Sequence, residues 1–155
     1  MMAHTEPGAL KVGDVMTRDP VVVEPDTPLR EAAGLMRAKG FRHLPVVDRT
    51  RHLLGIITDR DITHAAFVPL LADYLAWDPH RLKAPRVRDV MTWSVVTTHP
   101  DTPLVQAGLR MFQRRIGSLP VVQDRRLVGI LTDRDVATAF RKARHLETAD
   151  DAFLW

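Results

Sequence analysis

The sequence predicts an α+β protein made from one small motif, ordered β-α-β-β-α, used twice. Three observations carry this. A chain of 155 residues that is 45% hydrophobic and 26% charged has the profile of a globular protein long enough to bury a core. Slid on itself by 75 residues, the offset between Val15 and Val90, it aligns Val15-Met16-Thr17 with Val90-Met91-Thr92, Pro25 to Leu29 with Pro100 to Leu104, and Leu44-Pro45-Val46-Val47 with Leu119-Pro120-Val121-Val122. One extra residue near Thr50 then shortens the offset to that between Thr58 and Thr132, and Thr58-Asp59-Arg60-Asp61 falls on Thr132-Asp133-Arg134-Asp135. The period is too long for a solenoid unit, so this is a tandem duplication. A module of ~50 residues alone would be marginal, which favours two copies sharing one core.

Each element follows from local chemistry. Val21-Val22-Val23 is a β-branched strand, and Asp26-Thr27-Pro28 is a helix entry, with Thr27 able to cap and Pro28 at the first helical position. Leu29, Ala32, Ala33 and Met36 recur at helical spacing before a stop at Gly40, and Leu104, Ala107, Gly108 and Met111 repeat the stripe. Leu44 to Val47 and Leu53 to Ile57 are short apolar strands around the polar turn 48–51, matched by Leu119 to Val122 and Leu127 to Leu131. A helix opens at Asp59 and again at Asp133. Residues 63–85 read as a helical connector interrupted at Pro69 and Pro79, too apolar for a flexible linker, and 141–155 as a tail that docks or frays.

Composition excludes several functions. With no cysteine there is no disulfide scaffold, thiolate metal site or cysteine nucleophile. Seven dispersed histidines offer no ligand pair, and Arg60 and Arg134 would repel a cation from the Asp-x-Asp pairs. Ser94 and Ser118, the only serines, lie in no nucleophile elbow. No enzyme is expected. The net charge of +3 is spread along the chain and aromatics are 6%, which argues against nucleic acid. No run spans a bilayer and the start lacks a secretory pattern, so no membrane association and a cytoplasmic location are expected.

The strand-to-helix junctions carry the chemistry. Backbone N–H groups and the helix dipole suit an anion there; Thr58 and Thr132 can offer hydroxyls, Arg60 and Arg134 charge-assisted bonds, and Asp61 and Asp135 can accept from a ribose diol. Thr-x-x-Asp is also close to a capping box, and the two uses are compatible.

The VMT start, the D-T-P-L helix entry, the L-P-V-V strand and the G-I-[IL]-T-D-R-D close, in tandem, resemble the CBS domain pair, or Bateman module. The resemblance covers residues 12–62 as module 1 and 86–140 as module 2. It implies modules related by a pseudo-two-fold axis, with composite clefts that bind an adenosyl ligand such as AMP, ADP, ATP or S-adenosylmethionine. One cleft would combine Thr132, Arg134 and Asp135 with Met16, Asp19, Val21, Phe41 and Arg42; the other Thr58, Arg60 and Asp61 with Met91, Ser94, Val96, Ile116 and Gly117. Val21 and Val96 would pair their backbone with adenine. Arg42-His43 in one copy against Gly117-Ser118 in the other makes the clefts unequal, the first suited to a polyanion. Core packing is the alternative for Met16, Met91, Phe41 and Ile116, and solvation for Arg42 and His43. A regulatory, non-catalytic homodimer with a regulated protein partner is the implied function, pairing through the surplus apolar residues Val105, Leu109 and Phe112. The alternative is an interaction module with empty clefts.

Overall fold

The computed structural model describes residues 10–66 and 85–151, with side chains through residue 144. Two compact units result, and they cut across the sequence repeats. Pro20–Val95 forms a contiguous unit; the described residues through Asp19 join those from Val96 onward in a split unit.

In the contiguous unit, Val23 makes a parallel bridge to Val46, so only one residue of the expected Val21-Val22-Val23 strand pairs. Helix α2 (Leu29–Lys39) buries Leu29, Ala32 and Met36. Strands β2 (His43–Val47) and β3 (Leu53–Thr58) form an antiparallel hairpin, followed by a helix, α3, described over 59–66. The later turn α4 (Val87–Val90) and strand β4 (Thr92–Trp93) complete it, giving the sheet order β2-β3-β4.

The split unit repeats this with exchanged parts. The turn α1 (Val12–Val15) and strand β1 (Thr17–Arg18) come from the first copy; helix α5 (Leu104–Arg114), strands β5 (Ser118–Gln123) and β6 (Arg126–Thr132), and helix α6 (Asp133–Asp151) come from the second. Its sheet runs β1-β6-β5, with a parallel bridge from Thr98 to Val121.

The exchange has identical fixings in both units. The Val12 and Gly13 N–H groups donate to the Thr102 and Pro100 carbonyls, as those of Val87 and Arg88 do to Thr27 and Pro25. The strand that follows lies against a glycine. A methyl at Gly55 would collide with the Thr92 carbonyl oxygen and the Met91 Cε; one at Gly129 would lie 2.5 Å from the Met16 sulfur. Met91 and Met16 are thereby buried in separate cores, the first with Leu44, Val46 and Ile57, the second with Leu119, Val121 and Leu131. Burying each such aliphatic side chain contributes about 1.5–3 kcal/mol.

Thr27 does not cap α2. Its hydroxyl accepts from the Glu24 N–H at 3.1 Å, closing the preceding turn, and Pro28 occupies the cap position; the Leu29 N–H donates instead to the Pro85 carbonyl. Gly40 ends the helix in the left-handed conformation, φ 69°, but its counterpart Arg115 takes φ 53° with a full side chain. The extra residue near Thr50 lies in the hairpin turn. Asp124 and Arg125 make a two-residue turn with φ 50° and 66°, while the first copy spans 49–51 and holds it with Asp48.

The connector lies outside the described residues from 67 to 84, as do residues 152–155 of the tail. Residues 141–151 of the expected tail continue α6.

Candidate functional site

Each junction is a reciprocal cap. Asp61 Oδ2 accepts from both the N–H and the hydroxyl of Thr58 at 2.8 Å, while Thr58 Oγ1 accepts from the Asp61 N–H at 3.2 Å. Thr132 and Asp135 repeat this at 2.8, 2.8 and 3.3 Å. The capping use is therefore realised in both copies. It commits the hydroxyl protons of Thr58 and Thr132 to a carboxylate, so in this arrangement they are not donors to a phosphate. Among the described residues, Oδ1 of Asp61 and of Asp135 accepts no hydrogen bond.

The loop before β2 or β5 is tied to the same junction. The Asp59 N–H donates to the Arg42 carbonyl, and the Asp133 N–H to that of Gly117, both at 3.0 Å. Here the copies diverge. Asp59 Oδ2 lies 3.8 Å from Arg42 Nε, whereas Asp133, facing a glycine, turns back to accept from the Arg134 N–H at 2.8 Å. Arg60 and Arg134 are exposed.

The remaining expected residues differ in availability. Phe41 and Val21 are 41% and 36% exposed, and Arg42 is open to solvent. Met16, Met91 and Ser118 are buried, Met16 and Met91 in core packing and Ser118 opposite Thr132 at the ladder end. Ile116 and Val96 are half-buried against the split unit's core, and Gly117 is half-buried too. His43 pairs with Thr58 across the hairpin. Asp19 and Ser94 both adopt positive φ, 46° and 53°, with their N–H groups donating to Val128 and Leu54 carbonyls. Val21, Phe41, Arg42, His43, Thr58, Arg60, Asp61, Met91 and Ser94 belong to the contiguous unit; Met16, Asp19, Val96, Ile116, Gly117, Ser118, Thr132, Arg134 and Asp135 to the split one.

Sequence reasoning passed over three residues. Asp59 and Asp133 read as helix starts and as halves of Asp-x-Asp pairs unsuited to a cation, yet one faces Arg42 and the other caps its neighbour. Trp93, 51% exposed beside Ser94, replaces Arg18 of the first copy, a departure visible in the repeat itself. Among the described residues no three acidic or histidine groups gather to hold a metal, and no helix is long and apolar enough to cross a membrane.

The family model described as CBS domain matches residues 12–67 and again 87–142. L-aspartate semialdehyde sulfurtransferase of Methanocaldococcus jannaschii is 32% identical over 130 residues, covering 83% of this chain but 23% of that enzyme. The chain spans about a quarter of the length of several such curated relatives. Among solved structures, CBSX2, an Arabidopsis thaliana CBS-pair protein, in complex with AMP matches at TM-score 0.73 and 31% identity, over 86% of this chain and 98% of that one. The CBS domain pair of protein MJ0100, in complex with 5′-methylthioadenosine and S-adenosyl-L-methionine, matches at 0.72 and 31%, over 86% and 97%.

Proposed function

Because the chain belongs to the CBS domain family, in two tandem copies, we propose that it is a regulatory module that binds an adenosyl ligand and has no catalysis of its own. The carrying observation is the duplicated cap, which uses one oxygen of Asp61 and of Asp135 and leaves the other able to accept from a ribose diol. The similar structures with AMP and with S-adenosylmethionine support the ligand class. Adenine over guanine is the proposed selectivity, through backbone pairing at Val21 and Val96. Arg60 and Arg134 supply charge for phosphates, one at each junction.

Calorimetry with AMP, ATP, GTP and S-adenosylmethionine tests this. Asp61→Ala or Asp135→Ala removes hydrogen bonds to a charged acceptor, on the order of 1.5–3 kcal/mol, so affinity at that junction drops about tenfold to a hundredfold. The 2′-deoxy nucleotide is penalised against wild type and not against the variant. Unchanged affinity in both variants, with the fold intact, reduces the carboxylates to caps; equal binding of ATP and GTP removes the backbone readout.

The interaction reading rests on a separate observation: Val105, Leu109 and Phe112 on α5 are 47%, 53% and 82% exposed along one face. We propose that this face pairs two copies of the chain, and that a cytoplasmic protein partner reads ligand occupancy. Light scattering is expected to give twice the 17.5 kDa chain mass, and Phe112→Asp to return it to a monomer. A wild-type monomer at micromolar concentration overturns the pairing.

A further inference from the structure

The two units build the same helix ridge with different side chains. In the split unit, Val105, Leu109 and Phe112 recur along one exposed face of α5. A methyl at Gly108 would lie 3.2 Å from Val136 Cγ1, so α6 packs directly beside that face. Phe140, one turn beyond Val136 on the same side of α6, is 40% exposed and extends the apolar surface. At the repeat offsets these four residues fall on Arg30, Gly34 and Arg37 of α2 and on Ala66 of α3, all exposed.

The contiguous unit's ridge is therefore the inverse in bulk and in charge. A methyl at Gly34 would meet no atom within 4 Å, which leaves the α2 ridge open where α5 carries Leu109. Arg30 and Arg37 flank the opening two helical turns apart, about 10.5 Å along the axis. Among the described residues neither guanidinium has a hydrogen bond or an ion pair.

These side chains discriminate between the ways two such ridges can meet. Helices approach closest where a large side chain on one faces a small one on the other. Gly108, the small residue beside the α5 ridge, already receives Val136, so α5 set on another α5 meets bulk with bulk. An α2 ridge set on another α2 brings Arg30 and Arg37 against their own like charges, which disfavours that pairing. The mixed contact satisfies both ridges. Leu109 finds the opening, the arginine stems cover apolar surface, and each guanidinium gains an aromatic ring face.

We infer that, in the pairing of two copies through α5 on which this reading rests, the α5–α6 face of one copy seats on the α2 face of the other, Leu109 over Gly34 and the Phe112 and Phe140 rings against Arg30 and Arg37. Made twice about a two-fold axis, such a contact closes a dimer.

The chain has no cysteine, so Gly34→Cys and Leu109→Cys, introduced singly, report the contact through a short bis-maleimide cross-linker. An equimolar mixture, equilibrated together, is expected to give a product of twice the 17.5 kDa chain mass on a denaturing gel, and each variant alone none. Gly34→Leu, which fills the opening with the second copy's residue, weakens pairing about tenfold or more in light scattering, and so does the double variant Arg30→Glu, Arg37→Glu. Positions 30, 34 and 37 are exposed, so an unchanged circular dichroism spectrum is the control for an intact fold. Leu109→Cys linking to itself, a mixture that does not link, or an α2 variant that pairs as wild type does overturns the α2 counterpart while leaving the pairing through α5 in place. A wild-type monomer overturns both.

Discussion

The two hairpin turns solve one problem with different materials. Asp124 and Arg125 reverse the second chain copy in two residues, at the cost of two left-handed backbones. The first copy inserts a residue and needs a single left-handed position, Arg51, because Asp48 supplies a side-chain frame: its Oδ1 accepts from the Thr50 hydroxyl at 2.7 Å and from the N–H groups of Thr50 and His52 at 2.8 and 3.0 Å. The difference teaches that duplication here preserved the backbone hydrogen bonds at the junctions and let side chains drift wherever a second solution existed. Where none existed, the residue stayed: both copies retain glycine beneath the exchanged strand.

The sharpest way to break that symmetry is at those glycines. Gly55→Ala forces a methyl into the Thr92 carbonyl and is expected to destabilise by about 3 kcal/mol; Gly129→Ala meets chiefly the flexible Met16 thioether and costs about 1–2 kcal/mol. Urea unfolding at constant m-value measures both, and equal losses would remove the distinction.

An intermediate effect lies at the helix ends. Gly40→Ala puts a Cβ at φ 69° and costs about 1 kcal/mol; Arg115→Gly relieves φ 53° and gains about 0.5 kcal/mol after the added unfolded-state entropy. Thermal melts shift in opposite directions, by roughly 2–4 °C per kcal/mol for a chain of this size. A loss on Arg115→Gly would mean that the arginine side chain makes contacts outweighing its backbone strain.

The smallest effect separates the turns by acid. The Thr50 hydroxyl first, and then the His52 and Thr50 N–H groups, hold the Asp48 carboxyl down at about 2, while its counterpart is Gln123. A lowered folded-state pKa means that its stabilisation is complete above the unfolded value near ~4 and is lost as pH falls through about 2. Asp48→Asn is expected to flatten the stability profile over that window and leave it unaltered at neutral pH in shape. An acid limb unchanged by the substitution would show that the turn's frame does not titrate with folding.

Much of this was legible in the sequence, because repeat, stripe and turn signals are local. The α2 and α5 stripes, both hairpins and both caps follow from residue order. What escaped was whatever depends on distant partners. Val21 to Val23 reads as a strand, yet only Val23 finds a neighbour in Val46. Thr27 has the chemistry of a cap, but the Glu24 N–H competes for its hydroxyl and wins. Met16 and Met91 read equally as ligand contacts or core; the burial itself follows from glycine on the facing strand, which local sequence does not reveal. Sequence also gave no sign that each repeat lends its opening turn and strand to the other's hairpin.

That exchange sets an order of events during synthesis. The contiguous unit emerges from the ribosome with every strand it needs, so it can collapse while the second hairpin is still unmade. The opening segment has no such option: Thr17 must wait for Ile130, and Val12 for Thr102. Until then its buried valine and methionine are exposed, and closing so long a loop slows their capture. A nascent chain arrested before β6 would therefore carry a folded contiguous unit preceded by an unpaired apolar segment, a species whose chaperone-recognisable surface lies upstream of its folded part rather than at its growing end.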